Sequence, residues 1–148
     1  MGEGNLTINL KKLNKDAILP EKAHKGDAGV DLRSYIDTQL KPLQRALIPT
    51  GIAISIPSGY AGFVQPRSGL AINKGISIVN TPGLIDSKYR GEIKVILINL
   101  DHENVFEVKK GDKIAQLVIQ KVASVEFKEV FELDDTKRGS NGFGSTGL

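Results

Sequence analysis

The chain has 148 residues and no cysteine, which excludes thiol catalysis, zinc–thiolate sites and disulfide stapling, while the length suits one domain that buries a core unaided. Its net charge of +3 comes from acidic and basic residues that alternate without forming a basic block, so it suits a small anionic ligand and marks no stable nucleic-acid partner. A polar start over residues 1–5 and the lack of an apolar run of membrane-spanning length predict a soluble, cytoplasmic protein with no membrane partner.

Apolar residues recur at every second position, as in Leu6, Ile8 and Leu10, then Ile52, Ile54 and Ile56, then Val125 and Phe127. That is the period of half-buried strands. Turn signals at Lys25-Gly26-Asp27, Pro49-Thr50-Gly51, Pro57-Ser58-Gly59 and Lys109-Lys110-Gly111-Asp112 separate them at short intervals, which predicts an all-β, antiparallel sandwich or barrel. His24 and His102 lie in polar turns without the spacing of metal ligands and read as surface residues. Asp27 and Asp31 flank Ala28-Gly29-Val30; the pair reads either as a turn with a strand entry or as an edge carboxylate that holds metal-bound water.

One short helix is predicted over residues 68–74, with Ser68 as N-cap and Gly75 as its stop. Free N–H groups at its start, the Ser68 hydroxyl and the Arg67 guanidinium together make a phosphate site, and the alternative is that Ser68 only caps. The apolar residues 76–79 lead into Pro82-Gly83, a strong turn pair with glycine expected at positive φ, and residues 93–97 follow Arg90-Gly91. A bent hairpin is predicted, whose mouth leaves backbone groups free to read a planar heterocycle as a strand would. Asp86 in that mouth is either a turn-former or a general base beside a ligand.

Residues 93–100 are apolar on both faces, so that strand needs two covers, the second supplied by another copy of the chain or by a loop of its own. After Phe131 the alternation stops, which gives a domain over residues 1–135 and a glycine-rich C-terminal arm over 136–148. Ordering each arm residue costs roughly 1–2 kcal/mol, so the arm is expected to be flexible and to order only on a ligand that engages Arg138 and Phe143, or else to have no role. It lacks a Walker lysine and is no P-loop.

Five stretches in register resemble the motifs of the trimeric deoxyuridine triphosphate nucleotidohydrolases, the dUTPases, over residues 19–147. They are Ala28-Gly29-Val30-Asp31-Leu32-Arg33-Ser34, Pro66-Arg67-Ser68-Gly69-Leu70-Ala71, Asn80 through Glu92, Gly111-Asp112-Lys113-Ile114-Ala115-Gln116-Leu117, and Arg138 through Gly147. The resemblance implies a jelly roll with one short helix, a homotrimer whose active sites are shared between subunits, and Mg2+-assisted hydrolysis of dUTP to dUMP and pyrophosphate. It implies that Asp86 activates the attacking water and touches the sugar 3′-hydroxyl, and that Tyr89 packs under the deoxyribose. Asn80 and the backbone of Leu84, Ile85 and Asp86 would read uracil, with Lys94 lining the same pocket. Arg67, Ser68, Gly69 and Gln116 would hold phosphates, Gln116 also helping to place the water. Arg138 would bind the γ end, Phe143 would stack on the base with Gly144 beside it, and Asp31 would hold magnesium through water, the direct ligands being phosphate oxygens.

Two departures stand out. Lys113 occupies a position usually held by arginine, and its lack of a bidentate fork puts in question any ion pair or phosphate contact there. Asn141 replaces a frequent glycine and is expected to accept a left-handed backbone. Two other readings are a dCTP deaminase, alone or bifunctional with dUTPase activity, and a non-catalytic trimeric regulatory or binding protein on the same fold.

Overall fold

The computed structural model describes residues 4–147; Met1, Gly2, Glu3 and Leu148, the outer ends of the expected domain and arm, lie outside the described residues. In chain order come β1 (Asn9–Lys12), β2 (Gly29–Arg33), β3 (Thr38–Leu40), β4 (Arg45–Ser55), β5 (Tyr60–Gln65), α1 (Ser68–Lys74), β6 (Ile76–Ile78), β7 (Gly83–Ile85), β8 (Glu92–Asn99), β9 (Phe106–Val108) and β10 (Lys113–Lys121). All strand pairs are antiparallel, in two four-stranded sheets ordered β1-β4-β8-β6 and β2-β10-β5-β7 and a β3-β9 ribbon. This is the expected jelly roll. Alternation along each strand sends Ile48, Ile52, Val95 and Leu97 of one sheet and Leu32, Val64, Ile114 and Leu117 of the other into a single core. Each such side chain contributes about 1.5–3 kcal/mol on burial.

Helix α1 has the predicted bounds, and Gly75 closes it at φ 66 with its N–H on the carbonyls of Ala71 and Leu70. Its N-cap, however, is Arg67 in extended conformation with no side-chain cap bond, so Ser68 is the first helical residue and its hydroxyl is left for other work. Pro49-Thr50-Gly51 is not a turn either. It is a bulge inside β4, between the pairs Pro49↔Lys94 and Ala53↔Glu92. The strand continues because side chains take up the freed backbone groups: Thr50 Oγ1 donates to the Ile93 carbonyl at 2.6 Å, and Gly51 N–H donates to Glu92 Oε2 at 2.9 Å.

The expected hairpin is split. β6 pairs with β8, but β7 leaves for the other sheet, where Gly83, Leu84 and Ile85 pair with Val64, Phe63 and Gly62 of β5. Gly83 accordingly takes no positive φ; the Thr81–Pro82 peptide is cis, and Gly83 opens a strand where a turn was expected.

On β8, Ile93, Val95 and Leu97 are buried, whereas Ile96 and Ile98 are half-buried and Leu47, opposite Ile96, is 55 % exposed. Among the described residues, no loop buries that outer face fully. Residues 122–147 form no strand, and Val125 and Phe127 stand exposed, so the strand expected there finds no partner among the described residues. Asn141 is not left-handed; Phe143 is, at φ 51.

Two polar knots fix the loops. Near the site, Tyr35 Oη donates to Asp16 Oδ1 at 2.5 Å, and Lys110 pairs with Asp16 while lying 4.2 Å from the Tyr35 ring centroid. The Lys110 ammonium, followed by the Tyr35 hydroxyl, holds the Asp16 carboxyl down to about 2. At the far end, buried Asn99 donates to the carbonyls of Leu40 at 3.0 Å and Asn104 at 2.8 Å, and its Oδ1 accepts from Asp101 N–H at 2.9 Å. Asn99→Ala orphans all these groups and is expected to lower stability by about 2–4 kcal/mol, read from urea unfolding.

Candidate functional site

Cross-strand register builds one half of the site. Asp31 on β2, Gln116 on β10 and Gln65 on β5 are directly opposite one another in a single row, because Gln116 pairs with both neighbours. Arg67 and the start of α1 follow Gln65 by two residues. Gly29, Asp31, Gln65, Arg67, Ser68 and Gln116 thus line a cleft of about 410 Å³. Arg67 Nε lies 3.4 Å from Asp31 Oδ1 and Lys113 Nζ lies 3.2 Å from Asp31 Oδ2. Lysine at 113 therefore does make the ion pair that was in question, through a single contact.

The Gln116 side chain is also seated. Its Nε2 donates to the Pro66 carbonyl at 2.9 Å, which turns Oε1 toward Gly29, where a β-carbon would stand 3.1 Å from that oxygen. Arg67 Nη1 reaches the Lys113 carbonyl at 3.3 Å. Two cations against one carboxylate, with an exposed hydroxyl and the N–H groups of Ser68 and Gly69 beside them, form an anion-binding surface. Gln65 was missed as a site residue; its alternation on β5 ahead of Pro66 was the available signal.

The other half is built on β7. As the last strand of its sheet it has β5 on one side and no strand on the other among the described residues, so one backbone edge is free. Ile85 is buried and anchors the strand, while Leu84 is exposed. The Asn80 side chain packs beside Gly83 at the start of β7, its Nδ2 standing 3.4 Å from where a β-carbon of Gly83 would be. Past Ile85 the loop closes on itself. Tyr89 N–H donates to the Asp86 carbonyl at 3.1 Å, and Arg90 Nη1 donates to the carbonyls of Ser87 at 2.6 Å and Tyr89 at 3.0 Å. Asp86 itself is exposed. Lys94 alternates with buried Ile93 and Val95 and points away from the core, on the outer face of β8.

The halves do not meet within one chain. β5 runs from the level of Asp86 to Arg67, since Gly62 pairs with Ile85 and Asp86 falls beside Ala61. Six residues of extended chain span about 20 Å. Nor does the arm reach either half: Arg138 Nε donates to the Asn141 carbonyl at 2.9 Å, and Phe143 and Gly144 are exposed.

The model of a known family, described as dUTPase, matches residues 15–147. The chain belongs to the dUTPase family. Among curated relatives, the deoxyuridine 5′-triphosphate nucleotidohydrolase of Corynebacterium glutamicum is 58% identical over 140 residues, covering 95% of this chain and 94% of that one. The enzyme of the same name from Clostridium kluyveri is 56% identical, covering 96% and 99%. Among solved structures, the dUTPase of Staphylococcus bacteriophage 80alpha with dUpNHpp superposes with a TM-score of 0.89 at 34% identity, covering 96% of this chain and 99% of that one. A variant of the phage phi11 dUTPase of S. aureus, with a TM-score of 0.80 at 30% identity over 88% of this chain and 100% of that one, is described with a structural Mg(II) ion.

As a dUTPase, the chain carries its first, second and fourth motifs in the cleft, its third at the β7 edge and its fifth in the arm. For a divalent ion the cleft offers two carboxylates: Asp31, its side chain 16% exposed with both oxygens already facing cations, and Asp27, whose Oδ2 accepts from His24 N–H at 2.8 Å. That donor set fits a hard ion that keeps its waters and takes its direct ligands from a bound phosphate. Gly29→Ala is expected to push Gln116 aside and weaken binding of inorganic triphosphate by about tenfold, roughly one hydrogen bond to a charged group. Calorimetric titration checks this, beside a urea midpoint that stays put.

Proposed function

We propose that this protein hydrolyses dUTP to dUMP and pyrophosphate in a homotrimer whose active sites join half-sites of different subunits. In the cell it acts in the cytoplasm, limits uracil incorporation into DNA and supplies dUMP for dTMP synthesis. The observation that carries the reading is the separation of two complementary halves: an anion cleft with Arg67, Ser68, Gly69 and Gln116, and a free strand edge with Asp86, at opposite ends of β5. A nucleotide has the same two parts. The relatives' names favour hydrolysis of dUTP over dCTP deamination, and nothing in the fold favours a purely regulatory role.

Asn80 and the backbone of Leu84, Ile85 and Asp86 read uracil, while Tyr89 packs under the deoxyribose. Arg67, Ser68, Gly69 and Gln116 neutralise and orient the phosphates, with Arg138 at the γ end, while Lys94 lines the uracil pocket. Phe143 stacks on the base and Gly144 lies beside it as the arm, residues 136–148, closes over the site, where stacking is worth about 1–3 kcal/mol. Gln116 positions a water, Asp86 takes its proton, and the oxygen bonds to the α-phosphorus. The bond from that phosphorus to the bridging oxygen breaks, and pyrophosphate leaves with the oxygen. Asp31 would hold Mg2+ through water, and the ion would supply charge neutralisation on the phosphate oxygens.

Three features support assembly. The outer face of β8 carries half-buried Ile96 and Ile98 beside exposed Leu47; residues 122–133 carry Val125, Phe127 and Phe131 without a partner strand among the described residues; and a groove of about 1200 Å³ lined by Leu6, Ile8, Leu10, Tyr60 and Ile119 has room for such a segment from a neighbour.

Asp86→Asn is expected to fold and assemble but to lose roughly 10²–10⁴ in turnover, measured by pyrophosphate release. Near-normal turnover would remove Asp86 as the base. Mixing unfolded Asp86→Asn and Arg67→Ala chains and refolding them together is expected to restore activity that neither variant has alone, because some sites then draw each intact residue from a different chain. Sites confined to one chain would show no recovery.

A further inference from the structure

The most tightly constrained contact outside the reacting groups is between Tyr89 and Gly91. The Tyr89 ring folds back across the backbone of Gly91, and its Oη donates to the Glu92 carbonyl at 2.9 Å. A β-carbon at Gly91 would lie 2.5 Å from Tyr89 Oη, 2.6 Å from Cζ and 3.0 Å from Cε2, closer than any side chain tolerates. Gly91 has no positive φ, so its backbone conformation is open to other residues, and the demand for glycine comes from the ring alone.

The seat under the ring is itself rigid. Glu92 pairs with Ala53 across the β4 bulge, and its carboxylate accepts from Gly51 N–H at 2.9 Å. The Glu92 carbonyl that receives the tyrosine hydroxyl is therefore fixed from the neighbouring strand. The Tyr89 side chain, by contrast, is 46% exposed, with solvent on one side to move into. Against a methyl group at position 91, the ring yields and the backbone stays.

We infer that Gly91 is a positioning residue that, through the pose of the Tyr89 ring, sets the discrimination between deoxyribose and ribose. The inference rests on the reading of Tyr89 as the surface under the sugar. A ring whose hydroxyl end is held against the bare backbone of Gly91 leaves no room for a 2′-hydroxyl. A displaced ring opens that room and loses the packing under the deoxyribose.

The test compares kcat/KM for dUTP and for UTP in the full-length assembled protein as wild type, Gly91→Ala, Tyr89→Leu and the double variant. Gly91→Ala is expected to lower the dUTP-to-UTP ratio by at least about tenfold, the low end for a steric difference of one carbon. Its urea midpoint should be unchanged. In the Tyr89→Leu background the same change should move the ratio by less than about twofold, because two residues acting through one contact do not add. An unchanged ratio in Gly91→Ala, or an equal fall in both backgrounds, overturns the inference. So does failure of Gly91→Ala to fold, since the backbone would then have yielded before the ring. If Tyr89→Leu alone leaves the ratio unchanged, the proposed role of Tyr89 falls and the inference with it; if Tyr89→Leu changes the ratio and Gly91→Ala does not, the inference alone falls.

Discussion

The pairing of β7 with β5 governs the rest of this structure. Three residues cross from one sheet to the other, and that crossing places a free backbone edge, a buried anchor at Ile85 and an exposed carboxylate at Asp86 in sequence along one short strand. Because β5 also carries Gln65 and leads into Arg67, the same strand fixes the distance between the free β7 edge and the cleft around Arg67 and Gln116. Strand geometry allows little adjustment of that spacing. Within one chain the two regions are therefore held apart, and the proposed assembly follows from the register.

Around this frame the polar groups are preorganised by bonds that do not involve a ligand. Pro66 holds the Gln116 amide, Asp31 sits between Arg67 and Lys113, and Arg90 closes the loop after Asp86. Such groups need little rearrangement when charge develops on a phosphate, which is where electrostatic stabilisation is most effective. The Asp16, Tyr35 and Lys110 knot extends this order outward to the turn that leads into Lys113. Its ion pair is largely solvent-exposed and adds little to stability by itself.

Much of this was legible in the sequence because the relevant signals are local. Period-two alternation gave the strands, Gly75 gave the helix end, and the motif stretches named the groups now seen in the cleft and at the β7 edge. What stayed hidden depends on partners distant in sequence. Pro49-Thr50-Gly51 has every mark of a turn, yet Glu92 and Ile93, more than forty residues on, accept its freed donors and keep β4 whole. Pro82-Gly83 reads as a turn until Val64 supplies a strand to pair with. Val125 and Phe127 alternate as a strand should, but no strand among the described residues receives them. Lys113 was doubted on side-chain geometry alone, and its Asp31 partner comes from a strand eighty residues away.

The exposed segment after β10 has a cost during biosynthesis. Under the proposed assembly, a newly made chain that has not yet met its copies displays Phe127 and Phe131 in water close in sequence to a finished sheet, and apolar segments of that kind adhere to one another without specificity. Under that same proposal, yield of this protein hinges on how quickly nascent chains encounter one another, and dilute or slowly translated chains are the ones most exposed to quality-control proteases.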